Sequence, residues 1–98
     1  MTGAEFVFRL YVTGASRASA RAVVNTRSFC ERLLAGRYRL EIVNVADDVD
    51  AAVADQVVAS PTLIKLEPEP PQRFIGDLSD ATRLAGRLQL PVEPALHG

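Results

Sequence analysis

Alternating strand and helix patterns along the chain predict an α/β fold with the element order β-α-β-α-β-β-α. Three observations carry this prediction. Apolar residues repeat at every second position over residues 6–12, a helical repeat covers residues 17–35, and prolines separate two strand-like runs before a last helical segment. The length of 98 residues suits a single domain. We expect a four-stranded mixed sheet and a frayed tail over residues 91–98.

The first half of the chain has the pattern of a βαβ unit. Residues 6–12 are apolar on both faces except at Arg9, which predicts a strand in the interior of a sheet. Ser16 is the expected N-cap of the helix over residues 17–35. We assign the apolar face of that helix to Ala20, Val23, Val24, Cys30, Leu33 and Leu34. Residues 38–45 are more polar, which predicts an edge strand parallel to the first strand.

The second half of the chain predicts a helix, a hairpin and a last helix. The first of these helices runs to about residue 57 and follows an acidic cluster that complements its positive end: Asp47, Asp48 and Asp50. Residues 62–66 and 73–75 have the pattern of two strands joined by a proline-rich turn. Ser79 is the expected N-cap of the last helix. The residues of that helix predicted to face inward are Ala81, Leu84 and Leu88.

Composition argues against several classes of function. The net charge is −1, from 11 basic and 12 acidic residues, so no global field favours nucleic acid or an anionic membrane. The single cysteine, Cys30, cannot form an internal disulfide, and its apolar helix face predicts packing rather than redox chemistry. No secretory signal and no apolar run of ~20 residues is visible, so we expect a cytoplasmic protein.

The segment Ser60-Pro61-Thr62 enters the third strand and resembles the cis-proline turn of thioredoxin folds. Thioredoxins carry two reactive cysteines after the first strand, where this chain has TGASRAS over residues 13–19. We therefore predict a thioredoxin-like scaffold without its redox centre. The expected function is binding, with no catalytic residue, no cofactor and no metal site.

Three separated motifs resemble the KaiB family. LYVTG at residues 10–14 is similar to its LYVAG-type opening, and ASPTL at residues 59–63 is similar to its ATPTL segment. PPQRFIGDLS at residues 70–79 resembles its PPPxRRxIGDLS segment. The resemblance extends over about residues 6–90 and departs from the family at Ser60, at Phe74 and in a short C-terminal tail.

The resemblance implies a regulatory protein without enzymatic activity. KaiB proteins bind the N-terminal ATPase ring of KaiC, a RecA-like hexamer. In cyanobacteria they also sequester KaiA during the circadian cycle, and they compete with the thioredoxin-like sensor domain of the kinase SasA. The expected partner of this chain is therefore a KaiC-like ATPase, with KaiA or a SasA-type kinase as indirect partners and no nucleic acid or membrane.

The resemblance also leaves two folds open, because some KaiB proteins are metamorphic. Their resting tetramer has the ground-state order β-α-β-β-α-α-β, whereas their partner-binding monomer is thioredoxin-like. Pro68, Pro70 and Pro71 oppose a helix across the proline-rich turn, and residues 83–90 have helical spacing. Local preference therefore favours the thioredoxin-like monomer, although two packings of one sequence can differ by only a few kcal/mol.

The candidate partner-binding surface is the second strand together with the helix that follows it. An edge strand has unpaired backbone groups that can extend another sheet, and nearby polar side chains would complete the surface. The residues assigned to this surface are Tyr38, Arg39, Glu41, Val43, Asp47, Asp48 and Gln56. The residues assigned to the turns that determine the fold are Ser60, Pro61, Thr62, Pro70, Pro71, Gly76 and Asp77.

Simpler interpretations of the same residues stay open. The aspartates are explained more simply as helix caps and His97 as a solvated tail residue, and the second strand serves equally well as a guarded edge. Two other functions also stay open. A thioredoxin-like redox module would need a nucleophile near residues 14–17, and a detached sensor module would be similar to the SasA domain.

Overall fold

The computed structural model describes residues 5–14, 16–57 and 61–90, which form seven elements. Their bounds are β1 (Phe6–Val12), α1 (Arg17–Leu33), β2 (Tyr38–Asn44), α2 (Val49–Ala54), β3 (Thr62–Glu67), β4 (Gln72–Ile75) and α3 (Ala81–Arg87). The predicted order β-α-β-α-β-β-α is confirmed. Ser60, His97 and the tail over residues 91–98 lie outside the described residues.

The four strands form one mixed sheet in the order β2-β1-β3-β4. β1 pairs in parallel with β2, so that Phe6 lies opposite Tyr38, and antiparallel with β3, so that Leu10 lies opposite Leu63. β3 and β4 form an antiparallel hairpin. The strand that is apolar on both faces is therefore interior and the more polar β2 is an edge, as the alternation of side chains predicted.

Helices α1 and α3 cover one face of the sheet. Successive side chains of a strand alternate between the faces, and Phe8 and Leu10 of β1 are fully buried on this side. Phe29 and Cys30 of α1 and Leu84 of α3 belong to the same cluster. Removal of this apolar surface from water, worth about 25 cal/mol per Å², is the main force that holds the two helices against the sheet.

Helix α2 covers the other face with a smaller cluster. Tyr11, Ala52 and Ile64 form its buried centre, and Val43 and Leu66 pack around them. Because α2 has only six residues, it covers this face less completely than α1 and α3 cover the first one. Charged side chains of the strands therefore lie next to α2.

The buried face of α1 differs from the predicted one. Ala20 is exposed and Val24 is 65% exposed, whereas Ser19 and Thr26 are buried against the sheet. The Ser19 hydroxyl accepts a hydrogen bond from the Thr13 amide at 2.9 Å. The prediction is wrong here because a pattern based on polarity rejects small hydroxyl side chains, which fit where a helix approaches a sheet closely.

The start of α3 and the end of α2 also differ from the prediction. Helix α3 begins after Asp80 rather than after Ser79, because the Asp80 carboxylate accepts a hydrogen bond from the Arg83 amide at 3.0 Å. Aspartate is as good an N-cap as serine. Helix α2 ends earlier than predicted, because Gln56 has a φ of 57°, through which a right-handed helix cannot continue.

Candidate protein-binding surface

A helix cap lies where a thioredoxin has its reactive cysteines. Ser16 accepts a hydrogen bond from the Ser19 amide at 3.0 Å and so begins α1, as predicted. Cys30 lies on the inner side of α1 and is fully buried in the core, and burial raises the pKa of its thiol to about 12. An enclosed, protonated thiol is a poor nucleophile. The packing role predicted for Cys30 is therefore confirmed.

The outer edge of β2 presents backbone groups that the sheet does not use. The Arg37 carbonyl accepts a hydrogen bond from β1 at 2.9 Å, and the Val45 amide donates one to β1 at 2.9 Å. The backbone N–H and C=O groups of successive strand residues point to opposite sides, so those of the odd-numbered residues of β2 point toward β1. The N–H and C=O groups of the even-numbered residues point away from the sheet, and these residues are Tyr38, Leu40 and Ile42. A partner strand could add to this edge.

The side chains predicted on β2 lie on both faces of the sheet. Arg39, Glu41 and Val43 face α2, where Val43 packs against the smaller cluster. Tyr38 lies on the opposite face, and its hydroxyl donates a hydrogen bond of 2.5 Å to Glu31 of α1, which raises the pKa of Tyr38 to about 12. A partner seated on the α2 side would therefore meet Arg39 and Glu41 directly and reach Tyr38 only around the edge.

Helix α2 adds two exposed apolar side chains that the sequence prediction omitted. Val49 and Val53 are four residues apart and so lie on one side of the helix, and they are 57% and 69% exposed. Asp48 caps α2 by accepting a hydrogen bond from the Ala51 amide at 3.0 Å, and Asp47 is exposed. Their four-residue spacing is typical of a buried helix face, so no signal in the sequence marks them as exposed.

Gln56 lies beyond the other end of α2 from the two aspartates. Its carbonyl accepts a hydrogen bond of 3.3 Å from Arg73 of β4, which also donates to the carbonyl of Asp55. A helix of six residues is about 9 Å long. The predicted residues therefore extend along α2 instead of forming one compact cluster.

A polar network connects β2, β1 and α2 beneath this surface. Arg9 of β1 forms ion pairs with Glu41 (Nε–Oε1, 2.9 Å) and with Asp55 (Nη1–Oδ2, 3.0 Å). The Tyr11 hydroxyl donates a hydrogen bond that the Asp55 carboxylate and the Ala51 carbonyl share, the latter at 3.0 Å. Sequence reasoning missed this network, for which the one signal is an arginine inside an otherwise apolar strand.

The network shifts the pKa values of Asp55, Arg9 and Tyr11. Burial raises the pKa of Asp55, but the hydrogen bonds from Tyr11 and Arg9 together lower it below its usual value. The hydrogen bonds to Glu41 and Asp55 raise the pKa of Arg9. Burial, followed by the hydrogen bond to Asp55, raises the pKa of Tyr11. The charges are therefore fixed at neutral pH, which suits a structural connection rather than proton transfer.

The turn residues predicted to determine the fold connect β3, β4 and α1. Gly76 has a φ of 115°, which favours glycine, and its amide donates a hydrogen bond to the Pro61 carbonyl at 3.1 Å. Thr62 is buried at the start of β3, and the Asp77 carbonyl accepts a hydrogen bond from Asn25 of α1 at 2.8 Å. The connection between β3 and β4 contains the other two residues, Pro70 and Pro71.

A metal-binding cluster and a membrane-spanning helix are both absent from the part of the chain that the structure describes. In that part, no three or more His, Cys, Asp or Glu side chains are grouped so that they could hold a metal ion. Likewise, no helix within residues 5–14, 16–57 and 61–90 has both the length and the apolar character needed to cross a membrane.

Solved structures of known proteins define the fold. The N-terminal domain of Synechococcus elongatus SasA matches with a TM-score of 0.72 at 22% identity, over 90% of this chain and 83% of that domain. The oxidised form of mitochondrial thioredoxin 3 from Saccharomyces cerevisiae matches with a TM-score of 0.70 at 14% identity, over 88% of this chain and 78% of that protein. The chain therefore has a thioredoxin-like fold, without a pair of cysteines.

Sequence relatives define the family. The KaiB domain matches residues 9–90. The chain is 38% identical to the circadian clock protein KaiB3 of Synechocystis sp. over 78 residues, which are 80% of this chain and 76% of that protein. It is 36% identical to the circadian clock oscillator protein KaiB of Nostoc punctiforme over 93 residues, which are 95% of this chain and 89% of that protein. The chain belongs to the KaiB family.

Proposed function

We propose that this chain is a regulatory binding protein of the KaiB type, which acts through its surface and has no reaction of its own. Its partner would be the N-terminal ATPase ring of a KaiC-like RecA-type ATPase in a circadian or clock-related system. Membership of the KaiB family and the clock proteins among its relatives support this proposal. The observation that carries it is the open edge of β2 beside the exposed apolar side of α2.

The proposed surface combines two modes of recognition. A partner segment would bond to the outward peptide groups of β2, which gives affinity with little dependence on sequence. Val49 and Val53 would supply the apolar centre, and Arg39 and Asp47 the polar rim. Full burial of a valine side chain contributes about 1.5–3 kcal/mol, so one such side chain changes an affinity by about tenfold or more.

Regulation would follow from discrimination between states of the ATPase. A binding protein shifts an equilibrium only as far as its affinities for the two states differ. We therefore propose that this chain binds one nucleotide state of the ring more tightly than the other and so prolongs that state.

Mass photometry of the chain with a KaiC-like ring from the same organism, in ATP and in ADP, tests the proposal. We expect a complex in at least one nucleotide state and an affinity lowered about tenfold by Val53→Glu. Val24→Glu is the matched control, because Val24 is 65% exposed on α1, across the sheet from α2. Absence of a complex in every nucleotide state, or equal losses for the two variants, would contradict the proposal.

We also propose the thioredoxin-like arrangement as the form that binds. In it, α3 is capped by Asp80 and packs Leu84 into the main cluster, whereas the ground-state order would need strand over residues 83–90. Amide spectra combined with size-exclusion chromatography test this. One monomeric set of peaks would indicate a locked chain, and two exchanging sets a chain that switches. A tetramer with strand-like shifts over residues 81–87 would contradict it.

A second candidate function is that of a detached sensor module. The likeness to the N-terminal domain of SasA, with a TM-score of 0.72, favours it. A pull-down with a SasA-type kinase separates the two candidates. A sensor module would associate with the kinase itself, whereas a KaiB-type protein would displace the kinase from the ATPase ring, and KaiA would join only after the ring is bound.

A further inference from the structure

The opposite edge of the sheet carries a second open surface. A groove of about 420 Å³ lies between β4, the loop that follows it and α3. The Gly76 amide donates to the Pro61 carbonyl at 3.1 Å, so the even-numbered peptide groups of this segment face β3. The peptide groups of Arg73 and Ile75 therefore point outward, and Ile75 is 63% exposed. We call this surface the β4–α3 groove.

The aspartates of the β4–α3 groove already have partners. Asp80 accepts a hydrogen bond from the Arg83 amide at 3.0 Å as the cap of α3. Asp77 accepts one from the Ser79 amide at 3.1 Å and lies 4.0 Å from the guanidinium of Arg21. Both carboxylates keep their negative charge, but these contacts hold them to groups of the chain itself, whereas the three arginines that line the groove outnumber them.

The two arginines of α3 that line the groove keep their charge available. Arg87 lies over the ring of Phe74, with its guanidinium carbon 4.6 Å from the ring centroid. This contact holds the guanidinium in place without neutralising it. Within residues 5–14, 16–57 and 61–90, neither the Arg83 nor the Arg87 guanidinium forms an ion pair with a carboxylate.

The spacing of these arginines matches an extended acidic chain. Arg83 and Arg87 are four residues apart on α3, which places them on one side of the helix about 6 Å apart along its axis. Alternate side chains of an extended strand are about 6.5–7 Å apart. An extended segment that runs along α3, with an acid at every second position, would place successive carboxylates opposite the two guanidiniums, in a charge-assisted pairing.

We propose that the β4–α3 groove binds an extended acidic segment of a partner protein, with acidic residues at alternate positions. The segment adds to the outer edge of β4 and pairs its carboxylates with Arg83 and Arg87. β4 and β2 are opposite edges of the sheet, so this partner and one bound at β2 and α2 can be held at the same time. The inference does not depend on the proposed binding of an ATPase ring.

Fluorescence polarisation with the full chain and a labelled peptide of about ten residues that alternates threonine and aspartate tests the proposal. We expect binding that is about tenfold tighter than that of the matching threonine–asparagine peptide. The double variant Arg83→Gln/Arg87→Gln should lose about tenfold in affinity. Arg32→Gln is the matched control, because Arg32 is an exposed arginine of α1, and its affinity should stay within about twofold of wild type.

A backbone-modified probe separates strand addition from loose charge attraction. The same acidic peptide with N-methyl groups on alternate amides keeps its charges but cannot bond to the edge of β4, and we expect about a tenfold loss of affinity. Four outcomes would overturn the proposal: absence of binding, equal binding of the methylated peptide, an equal loss for Arg32→Gln, or tighter binding of a single-stranded oligonucleotide. No ATPase is present, so failure here leaves the proposed function untouched.

Discussion

Arg9 of β1 and Asp55 at the end of α2 form an ion pair with an Nη1–Oδ2 distance of 3.0 Å, although 46 positions of sequence separate them. The Asp55 side chain is 21% exposed, so the pair is partly removed from water, where charge-assisted hydrogen bonds strengthen. This contact fixes the end of α2 against the sheet. The orientation of Val49 and Val53 toward a partner therefore depends on it.

Replacement of Asp55 by asparagine should lower the free energy of unfolding by about 1–3 kcal/mol, because Arg9 and Tyr11 lose a charged acceptor. Urea unfolding of wild type and variant measures the change. Asp47→Asn is the control, since Asp47 is exposed and its replacement should change stability by no more than about 0.5 kcal/mol. Equal unfolding midpoints for wild type and Asp55→Asn would contradict the role given to this carboxylate.

The same carboxylate predicts how stability depends on pH. The pKa of Asp55 is lower in the folded chain than its ordinary value of 3.8, so the unfolded chain binds more protons in acid. The contribution of Asp55 is therefore fully present above that ordinary pKa and is lost as the pH falls through the lower, folded pKa. Urea unfolding should show the gap between wild type and Asp55→Asn shrinking below about pH 4. A gap that widens on acidification would refute this.

Thr26→Val should stabilise the protein. The Thr26 hydroxyl is buried in α1, and none of the described residues supplies it with a hydrogen-bond partner. An unpaired buried hydroxyl costs about 1–3 kcal/mol, and valine has nearly the same shape, so we expect a gain of about 1 kcal/mol in the free energy of unfolding. Thr82→Val, at an exposed position of α3, is the control. A loss of stability in Thr26→Val would mean that the hydroxyl has a partner in solution.

Two glycines should respond to alanine in opposite directions. Gly86 lies inside α3, and a Cβ there would meet nothing within 4 Å, so Gly86→Ala should add about 0.5–1 kcal/mol of stability. Gly76 also has open space, but its φ of 115° is one that side-chain-bearing residues rarely adopt. Gly76→Ala should therefore destabilise the chain by about 1 kcal/mol or more. Thermal unfolding measures both changes, and shifts of the same sign would be inconsistent with this account.

Cys30 should resist thiol reagents for as long as the chain stays folded. Burial raises the pKa of its thiol to about 12, and the side chain is enclosed under α1. A thiol reagent should therefore label Cys30 only at the rate at which the protein unfolds. Insulin reduction should stay at background in wild type and in Cys30→Ser. Rapid labelling of the folded chain, or insulin reduction that disappears in Cys30→Ser, would favour a redox module instead.

The positions of the strands could be predicted from sequence because side-chain alternation reports burial on each face separately. β1 is apolar on both faces and lies inside the sheet, whereas β2 is apolar on one face and lies at its edge. The contacts of Arg9 could not be predicted in this way. Its partners lie 32 and 46 positions away, and no local pattern relates them. The burial of Ser19 was missed for a different reason, since packing rather than polarity decides it.

Within the candidate surface, sequence reasoning identified residues of β2 and the polar residues around α2, and it missed the two exposed valines of α2. Val49 and Val53 have the four-residue spacing of a buried helix face, yet they are mostly exposed. Ala52, between them in sequence, is the residue that α2 buries. Which side of a six-residue helix meets the sheet depends on how its ends are anchored, here through Asp55, and that anchor is a tertiary contact.

The two faces of the sheet have unequal covers, α1 and α3 on one side and the short α2 on the other. A change beneath α1 disturbs many closely fitted neighbours, whereas a change on the exposed side of α2 disturbs few. Residues on the face covered by α2 can therefore be replaced during evolution while the fold is kept. Relatives of this protein that bind different partners should therefore differ first in the residues around α2, and only later in the residues beneath α1 and α3.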